Sequence, residues 1–363
     1  MDPANRIERS AMILSRVEQN DHDLTNLKVS NMGHFAREGM GNYWPNDSDD
    51  LARLCDAIGA NTNLQKLDIR SARELADMAA NNGTFFEGLN QNVSIIELWL
   101  ENCDLSARMG REILNGFVAN NSNLTRIVLN QCALGNGGGV ILASAVTSCP
   151  NLNWIRLSSC NVDDDILEEF ASGIRGGHQL RSIYLGWNTF GRAGCEALAT
   201  LLQDPNGNLT CLDLSSNNRI DDTCAAILAN SLEGNRTLHS LNLSGSNEIT
   251  GTGWGAFSKV LCNTASVNVT YLSNHTLMDL GYVVSQNKLS SLLELNSGAD
   301  KEQVAIRKII RHHAHLDMEP FLEWDLKVML LAVNWFGRAR AYAENDESTI
   351  DTRKLSAIYH FAR

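Results

Sequence analysis

Over residues 124–134 the apolar positions fall at Leu124, Ile127, Leu129 and Leu134, with Cys132 two places before the last. The same spacing returns as Leu152, Ile155, Leu157, Cys160, Val162, and again as Leu180, Ile183, Leu185, Asn188, Phe190. Units of this kind begin at Leu64, Ile95, Leu124, Leu152, Leu180, Leu209, Leu238 and Val267, 28 to 31 residues apart, with a weaker one at Leu24. Within each, apolar residues alternate with polar ones at the +3 and +5 positions, the period of a short half-buried strand. A strand that recurs at a fixed interval is the mark of a solenoid, and this outranks any local signal.

A second pattern fills the space between strands. Leu228-Ala229, Leu232, Asn235, Leu238 is its clearest copy; Leu54-Cys55, Ile58, Asn61, Leu64 and Leu142-Ala143, Val146, Cys149, Leu152 are looser ones. Apolar residues four apart with Ala between them predict a helix that buries one narrow face. Glycines at 110, 139, 194 and 253 sit where the strand must turn into that helix. Each unit therefore reads strand, turn, helix, return. Successive strands must run parallel, and right-handed crossovers put every helix on one side. The expected fold is an α/β solenoid, a horseshoe with a parallel sheet on the concave face and helices on the convex face. Residues 1–50 read as an N-terminal cap with one imperfect repeat, in which 39–50 form a polar loop. Residues 51–277 read as the repeats and 278–363 as a helical C-terminal cap, with helical spacing over Lys301–His312, 319–336 and 352–361.

The strand and helix patterns together resemble the leucine-rich repeats of the ribonuclease-inhibitor type, whose units are 28–29 residues long. The resemblance covers roughly residues 51–277. It implies a binding scaffold more than any one activity, because such repeats serve many unrelated partners. It also admits a GTPase-activating regulator, since one family of such activators is built on this repeat subclass. That family often carries a long acidic tail, and residues 344–351 offer only a short acidic run.

Charge narrows the partner. The 363 residues carry a formal net charge of -12. Residues 301–363 hold 10 Lys+Arg and 9 Asp+Glu, which leaves 20 against 33 for residues 1–300. An acidic repeat region argues against a sequence-independent nucleic-acid surface. The N-terminus has no apolar core of a signal peptide, and the most apolar run, residues 328–333, is too short to span a bilayer. The expectation is a cytoplasmic or nuclear, not secreted, monomer without membrane contact, its nine cysteines free thiols.

Several constellations suggest chemistry and are better explained by folding. Cys103, Cys132 and Cys160, followed by Asn188 and Asn217, occupy one repeat position and form a column of inward residues, spaced in a line and not around a point as a zinc site requires. His312, His313 and His315 lie at a basic helix end, which suits the macrodipole. The glycines from Gly135 to Gly139 lack the Lys-Ser/Thr of a phosphate loop and read as a turn. Asp163, Asp164 and Asp165 read as a capped helix start. No nucleophile–base pairing has a supporting motif, and no Cys follows Cys262, which argues against the cysteine-dependent ligase domain that some leucine-rich-repeat proteins carry there. The expectation is a non-enzymatic protein that needs no cofactor and no metal.

The informative residues are those between the leucines. Positions +2, +4 and +6 of each unit face out of the sheet, and +7 lies at its rim. Read across units, they give Lys66, Asp68, Arg70; Glu97, Trp99, Glu101; Arg126, Val128, Asn130; Trp154, Arg156, Ser158; Ser182, Tyr184, Gly186 with Trp187; and Cys211, Asp213, Ser215. The last rows, Ser240, Asn242, Ser244 and Val269, Tyr271, Ser273, are bland. Three of seven tryptophans thus fall on exposed positions of neighbouring units, where no folding argument requires them. Trp, Tyr and Arg dominate binding hot spots. The expected site is therefore a protein-binding face, with Trp99, Trp154, Tyr184 and Trp187 as apolar contacts. Glu97, Glu101, Arg126, Arg156 and Asp213 would orient the partner. A third expectation, assembly through the C-terminal helices, remains beside the binding and regulatory ones.

Overall fold

The structure is a computed structural model that describes residues 3–30, 40–70, 90–106, 115, 121–245, 248–282 and 287–313. It divides into two compact units, one of Met1–Leu261 with Asn274–Ser297 and one of Cys262–Ser273 with Gly298–Arg363.

The first unit is an α/β leucine-rich-repeat solenoid. Its strands are β1 (Asn26–Val29), β2 (Met40–Tyr43), β3 (Lys66–Arg70), β4 (Glu97–Glu101), β5 (Arg126–Asn130), β6 (Trp154–Ser158), β7 (Ser182–Tyr184), β8 (Cys211–Asp213) and β9 (Ser240–Asn242). They form one sheet in the order β2-β1-β3-β4-β5-β6-β7-β8-β9. Every pairing is parallel, and from β3 on each strand pairs with the strand of the next unit. Parallel neighbours need a crossover, which the helices Gly138–Ser148, Asp164–Ile174, Arg192–Leu202, Asp222–Ser231 and Gly251–Leu261 supply, each packed on the next. The ladder Leu124, Ile127, Leu129 and its counterparts are fully buried between sheet and helices.

Two ladders of side chains lock the stack. At the helix-to-strand return, Asn92 donates to the carbonyls of Ile58 and Asn61 of the preceding unit at 2.7 and 2.8 Å, while its Oδ1 accepts from Ser94 and Ile95. Asn235 and Asn274 repeat this arrangement. These buried asparagines satisfy main-chain groups that the helix end leaves orphaned. The second ladder is the inward column read from the sequence. Cys132 Sγ lies 3.3 Å from Leu100 O and Cys160 Sγ 3.1 Å from Leu129 O. Asn188 and Asn217 continue the column with amide hydrogen bonds. Burial pushes the Cys160 thiol up to about 12, and the hydrogen bond with the Cys103 thiol, together with burial, raises Cys132, so these thiols stay protonated at neutral pH.

The loops and caps follow the sequence closely. Asp163 Oδ1 caps its helix by accepting from Ile166 N at 3.0 Å, and Asp164 Oδ1 accepts from Gly191 N and Gly194 N of the next unit. Gly137 takes a left-handed φ of 77° at the start of its helix, in a turn that holds no phosphate-loop lysine. In the second unit the helix Lys301–His312 forms where expected, with Arg311 and His312 in its last turn. His313 Nε2 meets Thr270 Oγ1 at 2.7 Å. The helical readings at 319–336 and 352–361, the acidic run 344–351, and His315 lie outside the described residues.

Two readings are corrected. Residues 39–50 are not all loop: Met40–Tyr43 is a strand that pairs with β1 over all four positions, and Tyr43 and Trp44 are buried. The unit expected at Val267 is not a strand. Val267–Leu272 is a short helix, capped by Ser266 Oγ, so Val269, Tyr271 and Ser273 do not extend the sheet. The next sheet position comes after it, where Leu241 N and Leu243 N donate to Asp279 O and Leu280 O and Met278 N donates to His239 O. The pair Asn274 and Leu277 repeats Asn235 and Leu238, so the period continues after an insertion.

Candidate functional site

The strand register fixes which outward side chains meet. Lys66, Glu97, Arg126, Trp154, Ser182 and Cys211 form one row; Asp68, Trp99, Val128, Arg156, Tyr184 and Asp213 form the next. Across parallel strands about 4.8 Å apart, such neighbours are in contact range.

Charges on β3–β5 neutralise one another. Arg70 reaches Glu101 at 2.7 Å and Asp68 at 3.1 Å, and Arg126 reaches Glu97 at 3.2 Å. Trp99 lies under the Lys66 ammonium, 3.5 Å from its ring centroid, and donates through Nε1 to Glu97 Oε2 at 3.2 Å. Partly exposed pairs of this kind contribute little to stability, about 0–1 kcal/mol each. They fix side-chain positions more than they hold the fold.

The aromatic side chains gather on β6 and β7. Trp154 and Tyr184 meet with ring centroids 4.9 Å apart and planes inclined by 43°. Arg126 lies 5.8 Å from the Trp154 centroid and Arg156 5.8 Å from that of Tyr184. Arg156 Nε also donates to Ser158 Oγ at 3.0 Å. Asp213 Oδ1 accepts from Ser215 N at 2.9 Å, which holds its carboxylate at the β8 edge of the group. Trp99 stands two strands from this cluster. Between them lies Val128, which the sequence places on the outside; it is fully buried, 0% exposed, in register between Trp99 and Arg156. The outward face of that unit is carried by Arg126 and Asn130 alone. A small side chain flanked by two large ones is covered by them.

Trp187 is set apart in another way. At the +7 position the backbone enters the left-handed region in one unit after another: Asn102, Gln131, Ser159, Trp187 and Ser216 have φ between 53° and 57° or, for Trp187, 61°, and Gly245 has 99°. In each case up to Ser216 the amide donates to the carbonyl of the following unit, as Trp187 N does to Ser215 O at 2.9 Å. Asn, Ser and Gly tolerate this conformation; a bulky tryptophan does not adopt it without cost. Trp187 is also 67% exposed, so packing returns little. Replacing it with the Asn found at the equivalent position 102 is expected to raise stability by about 0.5–1 kcal/mol. A urea titration followed by circular dichroism reads this out, and a loss of stability would show that the indole is a packing residue instead.

Sequence reasoning did not single out Cys211 or Ser158. All nine cysteines are free, and Cys211 is the one that is not buried. Its Sγ lies 3.8 Å from Tyr184 Oη, inside the aromatic group. Burial raises this thiol above its usual value. The outward register signalled both residues; residue type alone did not.

Comparison with known proteins agrees with the fold. A leucine-rich-repeat family model matches residues 206–225 and 234–258. The NACHT, LRR and PYD domains-containing protein 3 of Bos taurus is 30% identical over 211 residues, 57% of this chain and 20% of that protein. Its Mus musculus counterpart is 27% identical over 254 residues, 68% of this chain and 24% of the relative. The Tonsoku-like protein of Mus musculus is 30% identical over 177 residues, 46% of this chain and 12% of that protein. The chain thus spans a quarter or less of the length of these relatives. Among solved structures, an internalin from Listeria monocytogenes aligns with a TM-score of 0.37 at 17% identity, covering 78% of this chain and 91% of that one. No described helix is long and apolar enough to cross a membrane.

Proposed function

We propose that the protein is a non-enzymatic scaffold that binds another protein through the outer face of its sheet, between β4 and β8. The observation that carries this is the Arg126–Trp154–Tyr184–Arg156 group, four large side chains of hot-spot type gathered on a surface where the fold needs none of them. Trp99, Trp154, Tyr184 and Trp187 supply apolar contact; Glu97, Glu101, Arg126, Arg156 and Asp213 set orientation. We place the repeats in the ribonuclease-inhibitor-like subclass, which full helices of 10 or 11 residues after β5 to β9 support. The scaffold reading is of a soluble monomer in the cytoplasm or nucleus whose partner is a protein and not a nucleic acid.

The half-buried Cys211 provides the test. A benzophenone maleimide attached to this thiol reports what approaches the aromatic group; labelling proceeds faster at alkaline pH, because the thiol is raised by burial. Irradiation in an extract of the source cells is expected to give a discrete protein adduct. A Cys211→Ser variant labelled through Glu168→Cys, on the exposed side of the helix Asp164–Ile174, is expected to give none. Equal adducts from both positions would overturn the reading.

A further inference from the structure

We propose that Arg156 is a preformed receptor for a single carboxylate of the partner, and that the partner segment carries an acidic side chain next to an apolar one. The proposal rests on the outer face being the binding face and names what that face selects.

The charge pattern carries it. Two arginines are exposed on the described outer face of β3 to β8, Arg126 and Arg156. Arg126 is neutralised by Glu97 at 3.2 Å. No carboxylate of the described residues reaches Arg156. Its guanidinium is instead held by two groups that leave its charge unspent. Ser158 Oγ accepts from Nε at 3.0 Å, and the Tyr184 ring lies 5.8 Å from the guanidinium carbon. With Nε occupied, the two terminal nitrogens remain as the paired donor edge that a carboxylate takes in two parallel hydrogen bonds. A guanidinium already held in place loses less side-chain freedom when it binds.

The surroundings favour one negative charge over two. Among the described outward side chains of β3 to β8, Arg156 is the one arginine without a carboxylate, in a chain whose positions 1–300 carry 20 basic against 33 acidic residues. Asp213 stands two strands away, and the register places Tyr184 between it and Arg156. A monoanionic carboxylate matches one cation in that field; a phosphate dianion would leave charge uncompensated. Beside Arg156, the Trp154–Tyr184 pair offers the apolar contact. Carboxylate and apolar side chain must therefore lie close together on the partner.

The test uses the full-length protein and a bead-displayed random-peptide library with amidated C-termini, so that every carboxylate comes from a side chain. Selected peptides are assigned to this face by their protection of Cys211 from maleimide. Wild type is expected to enrich Asp or Glu adjacent to an aromatic or aliphatic residue. Arg156→Gln is expected to lose the acidic preference, keep the apolar one, and bind the wild-type peptides at least tenfold more weakly. Ser158→Ala, which keeps the charge but frees the guanidinium, is expected to weaken them severalfold. Acidic enrichment that is absent in wild type, or unchanged in Arg156→Gln, overturns the carboxylate proposal while the apolar preference upholds the face. Peptides that fail to protect Cys211 and bind Trp154→Ala as well as wild type overturn both.

Discussion

Asn188→Ala is expected to cost about 3–4 kcal/mol of stability, more than truncation of a cysteine on the inward column. The side chain makes five hydrogen bonds in a dry site. Its Nδ2 donates to Leu157 O at 2.7 Å, Leu185 O at 2.8 Å and Gly186 O at 3.3 Å. Its Oδ1 accepts from Cys160 N and Val162 N, both at 3.0 Å. Alanine leaves those two amides buried without a partner, at about 1–2 kcal/mol each, and adds a cavity. Cys132→Ala provides the contrast at the same repeat position. The Cys132 thiol offers one weak donor to Leu100 O and Asn130 O and is only a weak sulfur acceptor for the Cys103 backbone, so about 1–2 kcal/mol is expected. Chemical denaturation of the three proteins decides the matter, and equal losses at the two positions would show that the column contributes volume and not hydrogen bonds. Because a solenoid is stabilised by neighbour contacts, amide exchange in β6 and β7 should rise first in Asn188→Ala.

The inward ladder was fully legible because its chemistry is local and repeated. A leucine at +0, +3 and +5 has one physical meaning in every unit, and the column at +8 only requires a small side chain that can meet a carbonyl. The outward register was equally legible, since a period of two leaves no freedom over which residues share a face. Contacts along that face were less so. Val128 follows the pattern of an exposed position, yet its exposure depends on the sizes of Trp99 and Arg156 on the adjoining strands, which no single repeat contains. Met40–Tyr43 was hidden for a related reason. Gly41, Asn42 and the nearby Pro45 mask its alternation and leave Tyr43 as its buried anchor. At Val267 the regular interval itself misled. The interval predicted a strand at the next 29 residues, while the better guide was Asn274 with Leu277, whose hydrogen bonds to Leu232 O and Asn235 O close the unit one insertion later.

Trp154→Ala is expected to weaken partner binding by at least about 30-fold, or ~2 kcal/mol, while the protein stays folded. The fold survives because the ring is only half-buried and its contacts are few. Truncation removes one aromatic pairing, worth about 0.5–1.5 kcal/mol, and one cation–π contact of about 0.5–1 kcal/mol. The leucines beneath it are untouched. Binding suffers more than stability because the indole sits between Arg126 and Tyr184, so its loss also releases the two groups that it orders. Affinity is measured with the purified protein identified by the Cys211 adduct, using Glu168→Ala on the helix face as the matched control. Retained secondary structure with a 30-fold weaker complex supports the outer face as the interface. A Trp154→Ala complex as tight as that of Glu168→Ala would move the interface off β6 and β7. Trp187→Asn sharpens the comparison, since it is expected to stabilise the fold while weakening the complex. A structural tryptophan would shift both quantities in the same direction; one kept in a strained backbone for its contact surface must shift them in opposite directions.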